Sequence, residues 1–357
     1  MGSNPIVDAH VILLTVRDLS HRAVRFIVVT LLGAVVFALL FVMTGLVEQF
    51  NREPFDTVDA FGASAWVLPD GLSGPFTAAP SLPTSVLAEV DADRVAPVVA
   101  ARSSLVVDGD SEEIVLAGVD IDGFGAPPVT DGRPVEAPGE VVVDTSLELT
   151  PGDTVLVAGA PFTVVGETAD TTILAGIPLV FMSTADAQSL VFRSPDVVSA
   201  VLVGGDVRSV PAGTTAIASE AVALDTLGPL DGAIASVDLV RALLWIVAAI
   251  IIGSVVYLSA LERQRDFAVL KAVGVSNRTL MGSLALQAVL VALLSVALAA
   301  VIQLVLAPVF PLRVRVPARA FWQVPLFAVV MSLIAGAAGM RRVARSDPAL
   351  AFAGAGA

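Results

Sequence analysis

Glu262-Arg-Gln-Arg-Asp-Phe-Ala-Val-Leu-Lys-Ala-Val-Gly274 separates two long apolar runs, residues 239–261 (containing LLWIVAAIIIGSVVYLSAL) and 281–306 (MGSLALQAVLVALLSVALAAVIQLVL). Each run reaches the ~20 apolar residues that carry a helix across the hydrocarbon core of a bilayer. Charged side chains are expensive in that core, so the interval between the runs reads as a turn presented at a membrane surface. It also holds the only lysine of the chain, Lys271. A phosphate-binding P-loop needs Gly-Lys-Ser/Thr. Lys271 is followed by Ala272, so the chain cannot bind ATP through a Walker motif.

Two further runs lie outside this pair: residues 26–47 (FIVVTLLGAVVFALLFVMTGLV) and 322–340 (WQVPLFAVVMSLIAGAAGM), the latter short and carrying Pro325 near its start. The first is too long for the ~7–15-residue core of a cleavable signal peptide and no A-x-A-like site follows it, so it reads as a retained anchor. With 56% hydrophobic and 15% charged residues in 357, and a mean hydropathy of +0.86, the composition is that of a membrane protein with a sizeable soluble part. The expected fold is four transmembrane α-helices with a large β-rich (α+β) extracytoplasmic domain inserted between helices 1 and 2.

Charge divides the chain in the same way. Residues 48–238 hold 29 Asp/Glu against 6 Arg, a net of −23, and the remainder has a net of +9. An acidic domain on a basic membrane part argues against nucleic acid, whose phosphates nothing on the domain would neutralise. Positive charge near the span ends sets orientation. Residues 1–25, 262–280 and 341–357 together carry ten Lys/Arg, against Arg313, Arg315 and Arg319 in the short loop 307–321. Both termini and 262–280 are therefore expected in the cytoplasm, with a multi-pass chain in the cell membrane and the acidic domain outside. The three loop arginines suit lipid headgroups or, on a sharper reading, the acidic domain. No Asp, Glu, Lys or Arg falls in a span interior, which lowers the odds of an ion-coupled transporter or channel. Gln287 and Gln303 could hydrogen-bond between helices, and Ser332, Ala335, Gly336 and Gly339 form small-residue steps in the last run.

Within 48–238, short Val/Ile/Thr runs alternate with Gly, Pro and Asp turns, predicting strands near 94–100, 113–119, 140–144, 154–158, 162–167 and 200–203. A helix is predicted after Phe181, with Ser183 or Thr184 as N-cap and Asp186 in its first turn. The domain has no His, Lys or Cys, so Ser-His-Asp, Ser-Lys and Cys-His nucleophile systems are impossible within it. No catalytic or metal-binding set is assigned. Asp108-Gly-Asp110-Ser-Glu112-Glu113 begins like a calcium loop but lacks glycine at its sixth position. It reads instead as a solvated hairpin turn.

Three stretches together resemble the FtsX/MacB-like family of ABC transporter permeases. These are Leu14-Thr-Val-Arg17-Asp-Leu19-Ser-His-Arg22-Ala-Val-Arg25, then Glu262 to Ser276, then Arg341-Arg342-Val-Ala-Arg345-Ser-Asp347-Pro348-Ala349. Gly152-Asp153-Thr154 with Phe162-Thr-Val-Val-Gly166 is similar to that family's external core domain. The resemblance covers the whole chain, in the order one span, large domain, three spans. It implies a permease subunit without a fused ATPase domain, non-catalytic in itself, working with a separate ABC ATP-binding subunit. No cofactor is expected on this chain; ATP enters through that partner. Docking of the ATPase is implied for Glu262, Arg263, Arg265, Asp266, Phe267, Leu270, Lys271 and Gly274. The residues fit such a role, since Phe267, Leu270 and Val273 share one side of a short helix and Gly274 suits its end. The plain alternative is an interfacial helix resting on headgroups.

The implied assembly pairs two permease chains, a homodimer being the simpler arrangement, in contact with membrane lipids. Its implied work is export or extraction of a lipid, peptide or hydrophobic compound through movement of the outer domain. The alternative is mechanotransmission to an extracytoplasmic partner such as a cell-wall hydrolase, with nothing transported. The resulting organisation is a cytoplasmic amphipathic segment (1–25), helix 1 (26–47), the acidic domain (48–238), helix 2 (239–261), a coupling helix (262–280), helix 3 (281–306), an external loop (307–321), helix 4 (322–340) and a cytoplasmic tail (341–357).

Overall fold

The computed structural model describes residues 23–107, 109–121, 123–262, 277–309 and 314–344. They fall into two compact units, Gln49–Ile234 and the remainder. The helices are α1 (Ala23–Ala60), α2 (Val86–Glu89), α3 (Thr184–Val191), α4 (Ser219–Asp225), α5 (Asp231–Glu262), α6 (Asn277–Leu306) and α7 (Ala320–Ala344). Three stretches are helical, long and apolar enough to cross a membrane by length and composition: Phe26–Ala60, Ser219–Ser254 and Ala285–Leu306. Ala320–Ile334 is a shorter apolar helix.

In the membrane unit, one stripe of α1 (Phe37, Leu40, Phe41) packs with Ala248 and Ile252 of α5, Ala292, Val296 and Ala299 of α6, and Val324 and Ala328 of α7. Helices in hydrocarbon gain little from burying apolar surface, so close approach through small residues has to hold them. Gly33 supplies it against α6, and Gly45 lets the segment before α7 approach α1 in the same way. A Cβ on Gly33 would sit 2.8 Å from Ser295 Oγ, and one on Gly45 2.7 Å from a methyl of Val314. Gln287, Ser295 and Gln303 all lie on the buried face of α6, and Ser332 of α7 is buried with its hydroxyl donating to the Ala328 carbonyl at 2.6 Å.

The other unit is built on a mixed sheet of eleven strands, β1 (Ala65–Pro69), β3 (Asp91–Val107), β4 (Asp110–Val119), β5 (Asp131–Gly132), β6 (Glu140–Asp144), β7 (Thr154–Val157), β8 (Ala160–Thr168), β9 (Thr172–Ile173), β10 (Ile177–Ser183), β12 (Ala200–Ser209) and β13 (Thr214–Ala218), while β2 (Leu82–Pro83) and β11 (Val197–Val198) form a separate antiparallel pair. The main path runs β13-β1-β12-β3-β4-β10-β6-β8-β5, with β7 and β9 attached beside it. The pairs β10–β4 and β6–β8 are parallel; β3–β4 is an antiparallel ladder from Val99↔Gly118 to Val107↔Asp110.

Successive strand residues face opposite sides of a sheet, and here both sides are covered. Leu179, Phe181, Val115, Ala117, Ala200 and Leu202 enter one core. Their neighbours Val180, Met182, Ile114, Leu116, Val201 and Val203 enter the other. That explains why these strands read as unbroken apolar runs rather than as an apolar–polar alternation. Phe55, Val58 and Phe61, from the end of α1, close the first core. There Trp66 lies edge-on to Phe61 at 5.1 Å and its indole N–H donates to Ser219 Oγ at 3.1 Å. α3 covers the second core, so tightly that any Cβ on Gly118 would collide with Ala187. As the sequence suggests, Ser183 caps α3, accepting from the Asp186 amide at 3.0 Å.

Candidate functional site

Of the segment expected to dock an ATPase, Glu262 is the last residue of α5, and α6 resumes at Asn277. Arg263, Arg265, Asp266, Phe267, Leu270, Lys271 and Gly274 lie outside the described residues. The two helices that flank the segment are described. α5 is the less enclosed of them, with hardly any of its apolar stretch buried, against about a third of that of α6. Leu239, Leu243, Ile246 and Ile250 all stand exposed on it, a surface that suits lipid or another apolar helix.

At the opposite end of the same helices, Arg319 forms an ion pair with Glu48. Glu48 belongs by sequence to the acidic stretch and by packing to the membrane unit. The pair therefore ties the loop before α7 to the end of the first apolar run. Phe41 stacks on Phe321 there, with ring centroids 5.2 Å apart. Arg313 lies outside the described residues.

Apart from Glu53 and Asp144, the sheet-rich unit carries most of its charge on the surface. Arg133 holds Glu140 through a bidentate pair, the NH1 arm at 2.8 Å. That guanidinium, with amide donors from Glu136 and Ala137, keeps the Glu140 carboxyl at about 2. Arg208 bridges Asp91 and Asp93 at 2.8 and 2.7 Å, and its hydrogen bond lowers the Asp93 carboxyl. The Arg208 pairs are exposed on both sides, and such pairs contribute little to stability, whereas Glu140 is half-buried. Asp110, Glu112 and Glu113 are exposed on the β3–β4 hairpin. Among the described residues no group of three His, Cys, Asp or Glu is placed to hold a metal ion.

The carboxylate that stands apart is Glu53, which the sequence reading passed over. It is 2% exposed, and its Oε1 accepts the Gly176 amide at 2.7 Å while Oε2 has no hydrogen-bond partner. One turn on, the buried Thr57 hydroxyl donates to the Thr172 carbonyl. Together they grip the β9–β10 turn, where Leu174, Ala175 and Gly176 have φ of 56°, 71° and 98°. From the other side, the buried Asp144 accepts the Thr171 amide at 2.9 Å and hydroxyl at 3.0 Å. Burial pushes the Glu53 carboxyl above its ordinary value, against the Thr172, Gly176 and Ala175 donors, and the Asp144 charge adds to the rise. The signal that could have found it is helical periodicity. Gln49, Phe50, Glu53, Pro54, Thr57, Val58 and Phe61 are the buried positions of an amphipathic continuation of α1.

Comparison with known proteins places this architecture. Residues 239–348 match the model of the FtsX-like permease C-terminal domain. An ABC transporter permease of Mycobacterium tuberculosis strain H37Rv is 39% identical over 347 residues, covering 95% of this chain and 98% of that one. A second permease of the same strain is 37% identical over 342 residues, with 95% and 98% covered. Among solved structures, the periplasmic region of MacB from Actinobacillus actinomycetemcomitans aligns with 49% of this chain and 98% of its own, at 14% identity and a TM-score of 0.34. The extracellular domain of the noncanonic ABC-type transporter YknZ from Gram-positive bacteria aligns with 42% and 84%, at 16% identity and a TM-score of 0.30. The sequence relatives match nearly end to end, and the membrane half carries the family's own domain: the chain belongs to the FtsX-like ABC transporter permeases.

Proposed function

We propose that this chain is the membrane-spanning half of a transporter driven by a separate ATP-binding subunit, which grips residues 262–274 from the cytoplasm. One observation carries the proposal. The charged interval, with Phe267 and Leu270 at helical spacing, falls inside the matched permease domain and joins two of its apolar helices. In this reading the chain crosses the membrane four times with both termini inside, and the acidic domain stands outside. Two copies pair, a role that the exposed apolar side chains of α5 support. ATP-driven closure of the partner moves the coupling segment, and the stroke reaches the outer domain through α5. The cargo is an amphiphile or hydrophobic compound handled at the outer leaflet.

This reading is preferred to mechanical regulation of an outer partner because of the domain's surface. Among its described residues, the large apolar side chains that stand exposed are Leu156 on β7 and Leu224 on α4. A partner-binding patch of several hundred Å² would need many more. Purification of the tagged chain from its own membranes tests the proposal. The wild type should bring down an ATP-binding subunit, and Phe267→Asp or Leu270→Asp should lose it while keeping a monodisperse membrane protein. Retention by both variants would falsify the docking assignment.

A further inference from the structure

A cleft of ≈ 330 Å³ opens between α1, α5 and α7 at the end of the helices that adjoins residue 48, lined among others by Thr44, Asp238, Arg241, Trp245, Gln323 and Val324. That volume lies at the lower end of the range of small-molecule sites, about 300–1,000 Å³. A second cavity in the membrane unit, beside Gly33, is ≈ 10 Å³, room for little more than a water molecule.

The chemistry of the larger cleft is two-sided. Arg241 and Asp238 face one another across one helical turn, 2.7 Å apart, each still partly exposed. The contact is an ion pair without hydrogen-bond alignment, since the buried Asp238 Oδ1 has no hydrogen-bond partner. An exposed i,i+3 pair of this kind contributes little to stability and is readily exchanged for a better partner. Thr44 and Gln323 add polar groups to the lining. Trp245, packed on Phe327 with ring centroids 3.9 Å apart, and Val324 supply an apolar wall. Tryptophan so placed suits the level of lipid headgroups.

From this arrangement we infer that the cleft binds the zwitterionic headgroup of a membrane amphiphile, its anionic group on Arg241 and its ammonium on Asp238. A ligand with a single charge would take one member of the pair and strand the other in a half-buried site. A zwitterion satisfies both at once. The apolar wall favours an amphiphile over a free headgroup, because a glycerol and the first acyl carbons can lie against Trp245. The inference rests on the transporter reading above and gives its cargo or its resident lipid a chemical class.

The test uses the full chain in detergent and three probes: dihexanoyl phosphatidylethanolamine, dihexanoyl phosphatidylglycerol and free phosphoethanolamine. The wild type should bind the first saturably and about tenfold tighter than either of the others, on the scale of one charge-assisted contact. Arg241→Gln should weaken it by about the same factor. Asp238→Asn should weaken the zwitterionic lipid and tighten the anionic one, because the freed guanidinium then accepts an anion. A merely structural role would not reverse that preference. Equal binding of the two lipids by the wild type, or parallel losses in Asp238→Asn, would overturn the inference. Recovery of the ATP-binding subunit separates the two readings. If it is recovered without zwitterion preference, the cleft inference fails alone; if the preference holds without an ATPase partner, the transporter reading fails alone.

Discussion

Removing the Glu53 carboxylate should loosen the β9–β10 turn without disturbing the membrane helices. Glu53→Ala takes away the acceptor held 2.7 Å from the Gly176 amide. An unsatisfied, partly buried amide costs about 1–3 kcal/mol, and Leu174 and Ala175 already occupy left-handed conformations that cost about 1 kcal/mol or more each for residues other than glycine. The low end of the range applies, since Gly176 itself is only half-buried. A loss of about 1–2 kcal/mol corresponds to local opening that is roughly 5- to 30-fold more frequent. Hydrogen exchange of peptides covering 170–180, measured on the full chain, reads that opening directly. Glu53→Gln separates charge from hydrogen bonding, because its amide oxygen can still accept from Gly176. In the wild type the folded carboxyl holds its proton above the ordinary value of 4.5. Between that value and the raised one the folded state binds more protons than the unfolded state. Stability from this group is therefore greatest below the ordinary value and falls as pH rises through the raised one. After correction for intrinsic exchange, protection of 170–180 should fall with rising pH in the wild type and stay level in Glu53→Gln. Exchange in Glu53→Ala within twofold of wild type, or the same pH slope in Glu53→Gln, would refute the reasoning.

Other consequences follow from the same geometry. Gly33→Leu should destabilise the membrane unit by about 1–3 kcal/mol through overpacking against Ser295, read as a lowered melting midpoint in detergent, whereas Val35→Leu on an exposed position should change it little. The Glu140 carboxyl, depressed to about 2 by Arg133, contributes stability that is present above the ordinary carboxylate range and lost as pH falls toward 2. Arg133→Gln should flatten the acid limb of a near-UV circular-dichroism titration, and an unchanged limb would show that the pair contributes nothing there. In this cysteine-free chain, Ser111→Cys should react with an impermeant maleimide on intact cells, and Ser276→Cys only after permeabilisation; the reverse pattern would invert the topology.

Much of the sheet-rich unit was legible in the sequence because its signals are local. The 140–144 reading coincides with β6, and the cap of α3 needed only Ser183 and Asp186. The 94–100 reading fell short of β3, which runs Asp91–Val107. Its second half, Arg102-Ser-Ser104, is polar and partly exposed, and the ladder with β4 holds it extended where composition does not. Three features of the fold escaped for a common reason. Glu53 and Thr57 find their partners in the backbone of residues 172–176, and a peptide group has no identity in a sequence. Gly33 and Gly45 passed as unremarkable glycines in an apolar run, although each marks a crossing with another part of the membrane unit. The cleft residues Thr44, Arg241 and Gln323 come from three separate helices, so no spacing along the chain could bring them together. The coupling segment is the converse case. Its chemistry is readable in residues 262–274, while most of it lies outside the described structure.

The central claim is that a nucleotide-driven subunit grips that segment from the cytoplasm. A single cysteine at Leu270→Cys, carrying a photo-reactive crosslinker in otherwise cysteine-free protein and activated in native membranes, tests it most directly. The account predicts one dominant adduct, an ATP-binding subunit identified by mass spectrometry. Adducts with lipid alone, or with a protein from the outer face, would contradict it.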